Sequence, residues 1–392
     1  MERISELEKK YVLEALDNQF RTSTNSIFTK RLEDLFSKVF NNKYSISHVN
    51  GTATLHTALA ALGVTKGDEV IVPPLTMSST AISVLQNQSI PIFADVNNHT
   101  FNIDPESIVR CITDKTKAIM AVSLYGLSPD YDKIIDICKK YNIFLIEDNA
   151  ECFLGYYKGK IVGSFGDFSS FSFQASKHMT CGEGGILLTN NESFANNARR
   201  FSSLGYAAVS SKKSKISKED IQSPDYDRHI SLGFNYRLSE VNSAVALGQL
   251  ERLEILVNQR IKVAKLFLNA VSDYSFIRPQ HVPENYVNSY WTLGLVLESN
   301  NGDNDWKDFK NLFTKRGGDS YYAAWKLSYQ EPLFKKVGKQ NKLIWQDYNT
   351  NLCPNAEYLQ PRLIQMKTNY WDISEAEIQA EILNKSLKEF SG

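Results

Sequence analysis

The chain has 392 residues, with 44 Lys plus Arg balanced by 44 Asp plus Glu and 42% hydrophobic content, 11% of all residues being aromatic. Equal charge leaves no field to gather nucleic acid or an anionic membrane, the apolar content excludes a disordered chain, and the length allows a large core in two domains. Five scattered cysteines (Cys111, Cys138, Cys152, Cys181, Cys353) without Cys-x-x-Cys spacing exclude a zinc ribbon or disulfide scaffold and argue for reduced thiols in a cytoplasmic protein; no metal site is expected.

The first residues, Met1 to Lys10, are charged and helical in pattern, unlike a signal peptide, and no apolar run reaches membrane-spanning length. Residues 2–18 and 27–40 carry apolar positions at helical spacing, among them Phe28, Leu32, Leu35, Phe36 and Phe40, and predict packing helices. Asn50-Gly51-Thr52-Ala53 then opens an Ala- and Leu-rich run to Leu62. Small and hydroxyl residues there leave backbone N–H groups free at a helix start, which suits a phosphate, while a plain N-cap is the competing reading.

From Asp68 onward strand and helix alternate. Strands are expected at 69–72, 90–96, 117–124 and 144–147, with helices at 79–86, 105–112 and 131–141 between them. Such alternation predicts an α/β fold with a mostly parallel central sheet flanked by helices. No Gly-x-Gly-x-x-Gly follows the first strand, and no Gly-x-x-x-x-Gly-Lys-Ser/Thr occurs, so neither a dinucleotide fold nor a P-loop explains a phosphate site.

The fourth strand, Phe144-Leu145-Ile146-Glu147, runs into Asp148-Asn149-Ala150-Glu151. It reads as a buried parallel strand delivering carboxylates at its C-terminal end, where open α/β sheets bind ligands. Side chains alternate along a strand, so Asp148 and Glu147 face opposite ways, and Glu147 is expected to be structural. Downstream, Lys177 stands between the apolar run of Phe168, Phe171 and Phe173 and a loop holding Gly182, Gly184 and Gly185, followed by the aliphatic strand 186–188. A partly buried lysine near phosphate-binding groups can react as an amine, which makes Lys177 the candidate nucleophile; an ordinary surface lysine is the bland alternative.

Residues 206–229 are polar and lysine-rich at 210–215 and read as a long surface loop, either a plain insertion or a substrate lid. Gly233 to Glu240 turns into a long amphipathic helix continuing to Gln259. A cofactor-binding large domain is therefore expected over 1–250 and a smaller α+β domain over 251–392, with a strand at 290–297 and helices at 306–316 and 373–390.

Taken together, Asn50-Gly51-Thr52-Ala53, Gly67 to Pro73, Phe101 to Pro105, Glu147-Asp148, Gly163 to Asp167, Ser172-Phe173 through Lys177, Gly182 to Gly185 and Gly233 to Arg237 resemble the DegT/StrS sugar aminotransferases among fold-type I pyridoxal-phosphate enzymes. The resemblance spans nearly the whole chain. It implies that Lys177 forms the Schiff base with pyridoxal 5'-phosphate, and that Asp148 keeps the pyridine nitrogen protonated. It also implies that Gly51, Thr52, Ala53 and Ser172 cup the phosphate, and that Asn235 reaches the cofactor phosphate of a neighbouring subunit in a homodimer with shared sites. Met77 stands where an aromatic ring often stacks on the cofactor, and Glu151 where Gln or His usually meets the 3' oxygen; an ionised Glu151 would repel a phenolate, so it is protonated or turned away. Gln174 replaces a frequent His. His178, Tyr321 and Trp325 are the candidate substrate contacts.

The implied reaction is amino transfer from glutamate to a keto sugar, foremost a nucleotide-linked keto-deoxyhexose, for surface polysaccharide or lipopolysaccharide. The stretch 316–322 raises a second substrate, an unlinked acidic sugar such as 8-keto-3-deoxy-octulosonate. A sugar dehydratase, which in this group carries His in place of the lysine, and a non-catalytic regulatory relative are the remaining alternatives.

Overall fold

The structure, a computed structural model, describes residues 2–20, 27–210, 222–298, 305–340 and 352–390. The alternating apolar segments build one seven-stranded sheet, in spatial order Tyr44–His48, Gly185–Thr189, Phe168–Ser172, Phe144–Asp148, Thr116–Val122, Glu69–Val72 and Ile90–Phe93. The five strands from Ile90–Phe93 to Phe168–Ser172 pair in parallel. Gly185–Thr189 runs antiparallel to both its neighbours.

Residues that alternate along a strand part to opposite faces. Val70, Val72, Met120 and Ile146 pack with the helices Gly51–Ala61 and Glu192–Phe201 on one side. Ile71, Ile119 and Leu145 pack with the helices Pro105–Cys111 and Tyr131–Tyr141 on the other. Both faces are thus covered, which is why the strands read as near-continuous apolar runs. The helices Glu6–Asp17 and Phe28–Val39 add a third cluster, in which Phe36, Phe40, Phe153, Phe171 and Phe173 interlock.

The long helix expected to reach Gln259 is two helices, Glu240–Glu251 and Leu253–Val271, meeting at Arg252. The second belongs to both halves of the molecule. Leu253, Leu256 and Val257 pack with the N-terminal helices, whereas Val263, Phe267 and Val271 enter the core of a smaller unit. That unit is a four-stranded antiparallel sheet (Ile277–Pro279, Thr292–Leu297, Leu363–Lys367, Tyr322–Ala323) covered by the helices Asp305–Lys315 and Ile373–Phe390. The strand expected from Tyr290 starts at Thr292, because Tyr290 sits at φ 49°, outside the extended region.

The second half is not self-contained. Tyr286–Val287 pairs with Tyr156–Tyr157, and Tyr329, Phe334, Ala356 and Leu359 lie in the core of the large sheet. Within the expected 206–229 loop, residues 211–221, and with them most of the lysine-rich run, lie outside the described residues. The base of that loop is tied by the Tyr206–His229 bridge and by the Ala207 amide donating to the Arg228 carbonyl at 3.1 Å. Among the described residues no helix is long and apolar enough to cross a membrane.

Candidate active site

Parallel strands end on the same edge of the sheet, so the segments leaving them converge there. Gly51, Thr52, Met77, Asp148, Glu151, Ser172, Lys177 and Trp325, each singled out from the sequence, line one cavity of about 530 Å³ at that edge. Thr76, Thr80, Gln174 and Trp291 line it as well.

Asp148 closes the Phe144–Asp148 strand and is 4% exposed. Its Oδ2 accepts a hydrogen bond from the Thr80 hydroxyl (2.9 Å) and its Oδ1 one from the Ala150 amide (3.2 Å). Burial raises its pKa, against the lowering effect of those two hydrogen bonds and of the Lys177 charge. Among the described residues no cation makes an ion pair with it. Lys177 is 9% exposed; its Nζ lies 3.3 Å from Glu151 Oε1 and 4.1 Å from the Trp291 ring centroid.

Glu151 does not turn away from the site. Its Oε2 accepts from the Tyr125 amide at 3.1 Å, and burial raises its pKa, opposed chiefly by Lys177. Of the two readings the sequence allowed, the structure does not take the one in which Glu151 turns away. Glu147, on the opposite strand face, accepts from the amides of Gly163 (2.8 Å), Phe165 (2.8 Å) and Gly166 (2.7 Å) and from the Ser169 hydroxyl (2.6 Å). It is a structural knot under the loop that follows.

At the other end of the cavity stands the N-terminus of the Gly51–Ala61 helix. Asn50 caps it, its Oδ1 accepting from the Ala53 amide at 2.8 Å. The cap takes up the amide of Ala53, which does not line the cavity, so the expected phosphate cup shrinks to Gly51, Thr52 and Ser172. The first amides of a helix have no acceptor within it, and the dipole there favours an anion. Gly51 is needed for the close approach: a Cβ on it would stand 2.8 Å from Ser172 Cβ.

Three expected contacts lie elsewhere. His178 follows Lys177 in sequence but faces inward: it is fully buried, packs on Phe153, and its Nε2 meets the Ser289 carbonyl at 2.9 Å. Tyr321 is 2% exposed in the core of the smaller sheet, with its hydroxyl on the Trp306 carbonyl at 2.9 Å. Neither can touch a ligand in the cavity. Asn235 lines a separate cavity of about 220 Å³ with Arg199 and Arg237. Thr80 and Trp291 were missed, since neither a hydroxyl on Asp148 nor a ring beneath Lys177 leaves a local signal.

The DegT/DnrJ/EryC1/StrS aminotransferase family description matches residues 2–380. The chain belongs to that family. Among its relatives is a GDP-perosamine synthase of Escherichia coli O157:H7, 34% identical over 292 residues, which are 74% of this chain and 75% of the relative. An aminotransferase structure from Psychrobacter cryohalolentis superposes with a TM-score of 0.86 at 28% identity, covering 99% of this chain and 98% of the other. An E. coli GDP-4-keto-6-deoxy-D-mannose-3-dehydratase with bound hydrated PLP matches with a TM-score of 0.83 at 25% identity over 98% of each chain. The protein is a sugar aminotransferase of fold type I, and its cofactor is pyridoxal phosphate.

The residues of this aminotransferase's cavity fit that group. Gly51, Thr52 and Ser172 line it at a helix N-terminus, where a phosphate would fit, Asp148 is a buried carboxyl without an ion-pair partner among the described residues, as a ring nitrogen would need, and Lys177 brings an amine into the same cavity.

Proposed function

We propose that the enzyme moves an amino group from glutamate to the keto carbon of a nucleotide-linked keto-deoxyhexose, in the cytoplasm, on the way to a surface polysaccharide. The observation that carries this reading is the placing of Lys177 and Asp148 in one cavity beside the N-terminus of the helix Gly51–Ala61. Bound there, the cofactor supplies a ring that draws off the electrons left when a proton leaves the carbon carrying the amine.

The chain's own residues do the rest. Asp148 would hold a proton on the cofactor's ring nitrogen, and Thr80 holds Asp148 in place. The amide groups of Gly51 and Thr52 and the Ser172 hydroxyl bind the phosphate. Lys177 Nζ would hold the cofactor and would carry the proton to and from the substrate carbon. Glu151, 3.3 Å from Nζ, takes or returns that proton as Lys177 changes state. Met77, half exposed in the cavity wall, would meet the cofactor's ring through its thioether, and Trp325, 39% exposed, would be the surface for the sugar.

Asn235, with Arg237 beside it, faces away from its own chain's cavity. The neighbouring Ile230, Leu232 and Phe234 are exposed, Leu232 by 80%. These support a homodimer in which Asn235 completes the partner's phosphate cradle. In the stretch 316–322, which raised the acidic-sugar alternative, Arg316 pairs with Glu389, and Asp319 with Lys367 and the Tyr370 hydroxyl.

The test is to incubate the holoenzyme with glutamate and a panel of nucleotide-linked and free keto sugars, and to weigh the products. A gain of an amine in place of the carbonyl on a nucleotide-linked sugar supports the reading. Loss of water alone makes the protein a dehydratase, and amination of free acidic sugars only would return the alternative substrate.

A further inference from the structure

The segment after the strand Phe168–Ser172 leaves the sheet in a tight turn, with the Lys177 amide on the Gln174 carbonyl at 3.0 Å. Main-chain carbonyls outside regular structure need donors from elsewhere. Those of Ala175, Ser176 and Lys177 find them on three side chains from distant parts of the chain. Arg260 Nη2 donates to Ser176 O (2.9 Å) and Lys177 O (3.1 Å). Arg3 Nη2 donates to Lys177 O (3.2 Å) and to Ala175 O. Trp291 Nε1 donates to Ser176 O (3.0 Å), while its ring lies under the Lys177 ammonium.

Arg260 is the hub of this arrangement. Its Nη1 also holds the carbonyl of Trp291 at 2.7 Å and meets the Thr368 hydroxyl at 3.3 Å, so one guanidinium fixes the lysine's main chain and the ring beneath its ammonium. It is 1% exposed and has no carboxylate partner among the described residues. A buried cation without a counter-charge is a poor device for stability; burial, and then the charge of Arg3, bring its pKa down to about 9.

We propose that Arg260, seconded by Arg3, is a positioning residue for the reacting amine, holding the main chain of residues 175–177 so that Nζ stands over Trp291 and enters the cavity. The guanidinium fork suits adjacent carbonyls as a lysine's single ammonium does not. This rests on Lys177 being the reacting amine, which the first part of the test decides separately.

The experiment uses the full-length Arg260→Lys and Arg3→Met variants, first without cofactor. Hydrogen–deuterium exchange of the peptide spanning 173–181 should be faster in both, with unfolding temperatures near that of the wild type. Arg3 lies at the edge of the cluster, so its variant serves even if Arg260→Lys folds badly. With cofactor added, borohydride reduction should still fix it on Lys177 but more slowly, and kcat should fall by about ten- to a hundredfold with KM for the sugar unchanged, as for a misplaced catalytic group. Wild-type exchange at 173–181 in both variants, or a change in KM as large as that in kcat, overturns the proposal. Cofactor fixed on another lysine in the wild type overturns instead the assignment of Lys177.

Discussion

Asp148 and Glu151 are carboxylic acids kept from water three positions apart, and their cost to the cofactor-free chain can be measured. Burial raises both folded pKa values above the unfolded ones, so their stabilising contribution is full below the unfolded range and lost as pH rises through the raised values. Asp148→Asn should therefore melt above the wild type at about pH 7 without cofactor, with the gap closing towards about pH 4. Circular-dichroism melts across that window check it; a gap that widens on acidification would contradict the assigned sign. Lys177→Ala should lower the single-turnover rate by about a thousandfold or more, within the range for a lost proton-transfer group. At this scale the acid was legible as the end of a buried strand, Phe144–Asp148, and the amine as the lysine in the loop between the strands Phe168–Ser172 and Gly185–Thr189. His178 and Tyr321 were misread because nearness in sequence and aromatic character say nothing of direction. His178 points under the loop into Phe153, and Tyr321 into the smaller sheet's core.

The helix Gly51–Ala61 and the strand Phe168–Ser172 meet where Gly51 lies against Ser172 and where the Thr54 and Ser170 hydroxyls share a hydrogen bond, and the proposed phosphate cradle lies at the first of these. Gly51→Ala should push the helix start off the strand, costing about 1–3 kcal/mol as overpacking does and weakening cofactor binding. Urea unfolding with and without added cofactor reads both. Glu147→Gln removes the carboxylate that gathers three amides and a hydroxyl, and should cost about 3 kcal/mol or more through buried donors left unpaired; at saturating cofactor, the rate per folded molecule should be kept. Elements with strong periodicity, such as Glu69–Val72, Tyr131–Tyr141 and Ile373–Phe390, were legible to their ends. The strand Tyr44–His48, which alternates serine with larger side chains over only five residues, and the helix Glu192–Phe201, which spaces Phe194, Ala195, Ala198 and Phe201 helically among Asn and Arg, were not picked out. They form because Tyr44–His48 completes the ladder beside Gly185–Thr189, and because Asn191 caps a helix whose Ala195 and Ala198 fit the sheet face.

For the molecule as a whole, the shared sites proposed above have a direct consequence: a mixture of Lys177→Ala and Asn235→Ala proteins, each inactive or nearly so alone, should regain activity after subunit exchange. A hybrid dimer pairs one intact lysine with one intact asparagine in the same site. No recovery in a mixture shown by mass to contain hybrids would make Asn235 a residue of its own chain's site. The two halves of each chain are joined otherwise. The pairing of Tyr286–Val287 with Tyr156–Tyr157, the Asn355 and Ala356 amides on the Asp95 carboxylate (2.9 Å each), and the Ser328 amide on the Pro74 carbonyl (3.0 Å) are seams additional to the chain's passage through Arg252. A protease nick near Arg252 would leave two pieces that still elute together, and a truncation at that point would strip the large sheet of Phe334, Ala356 and Leu359 and aggregate. Anyone grafting the C-terminal portion of a relative onto this scaffold must transplant these stitches along with it.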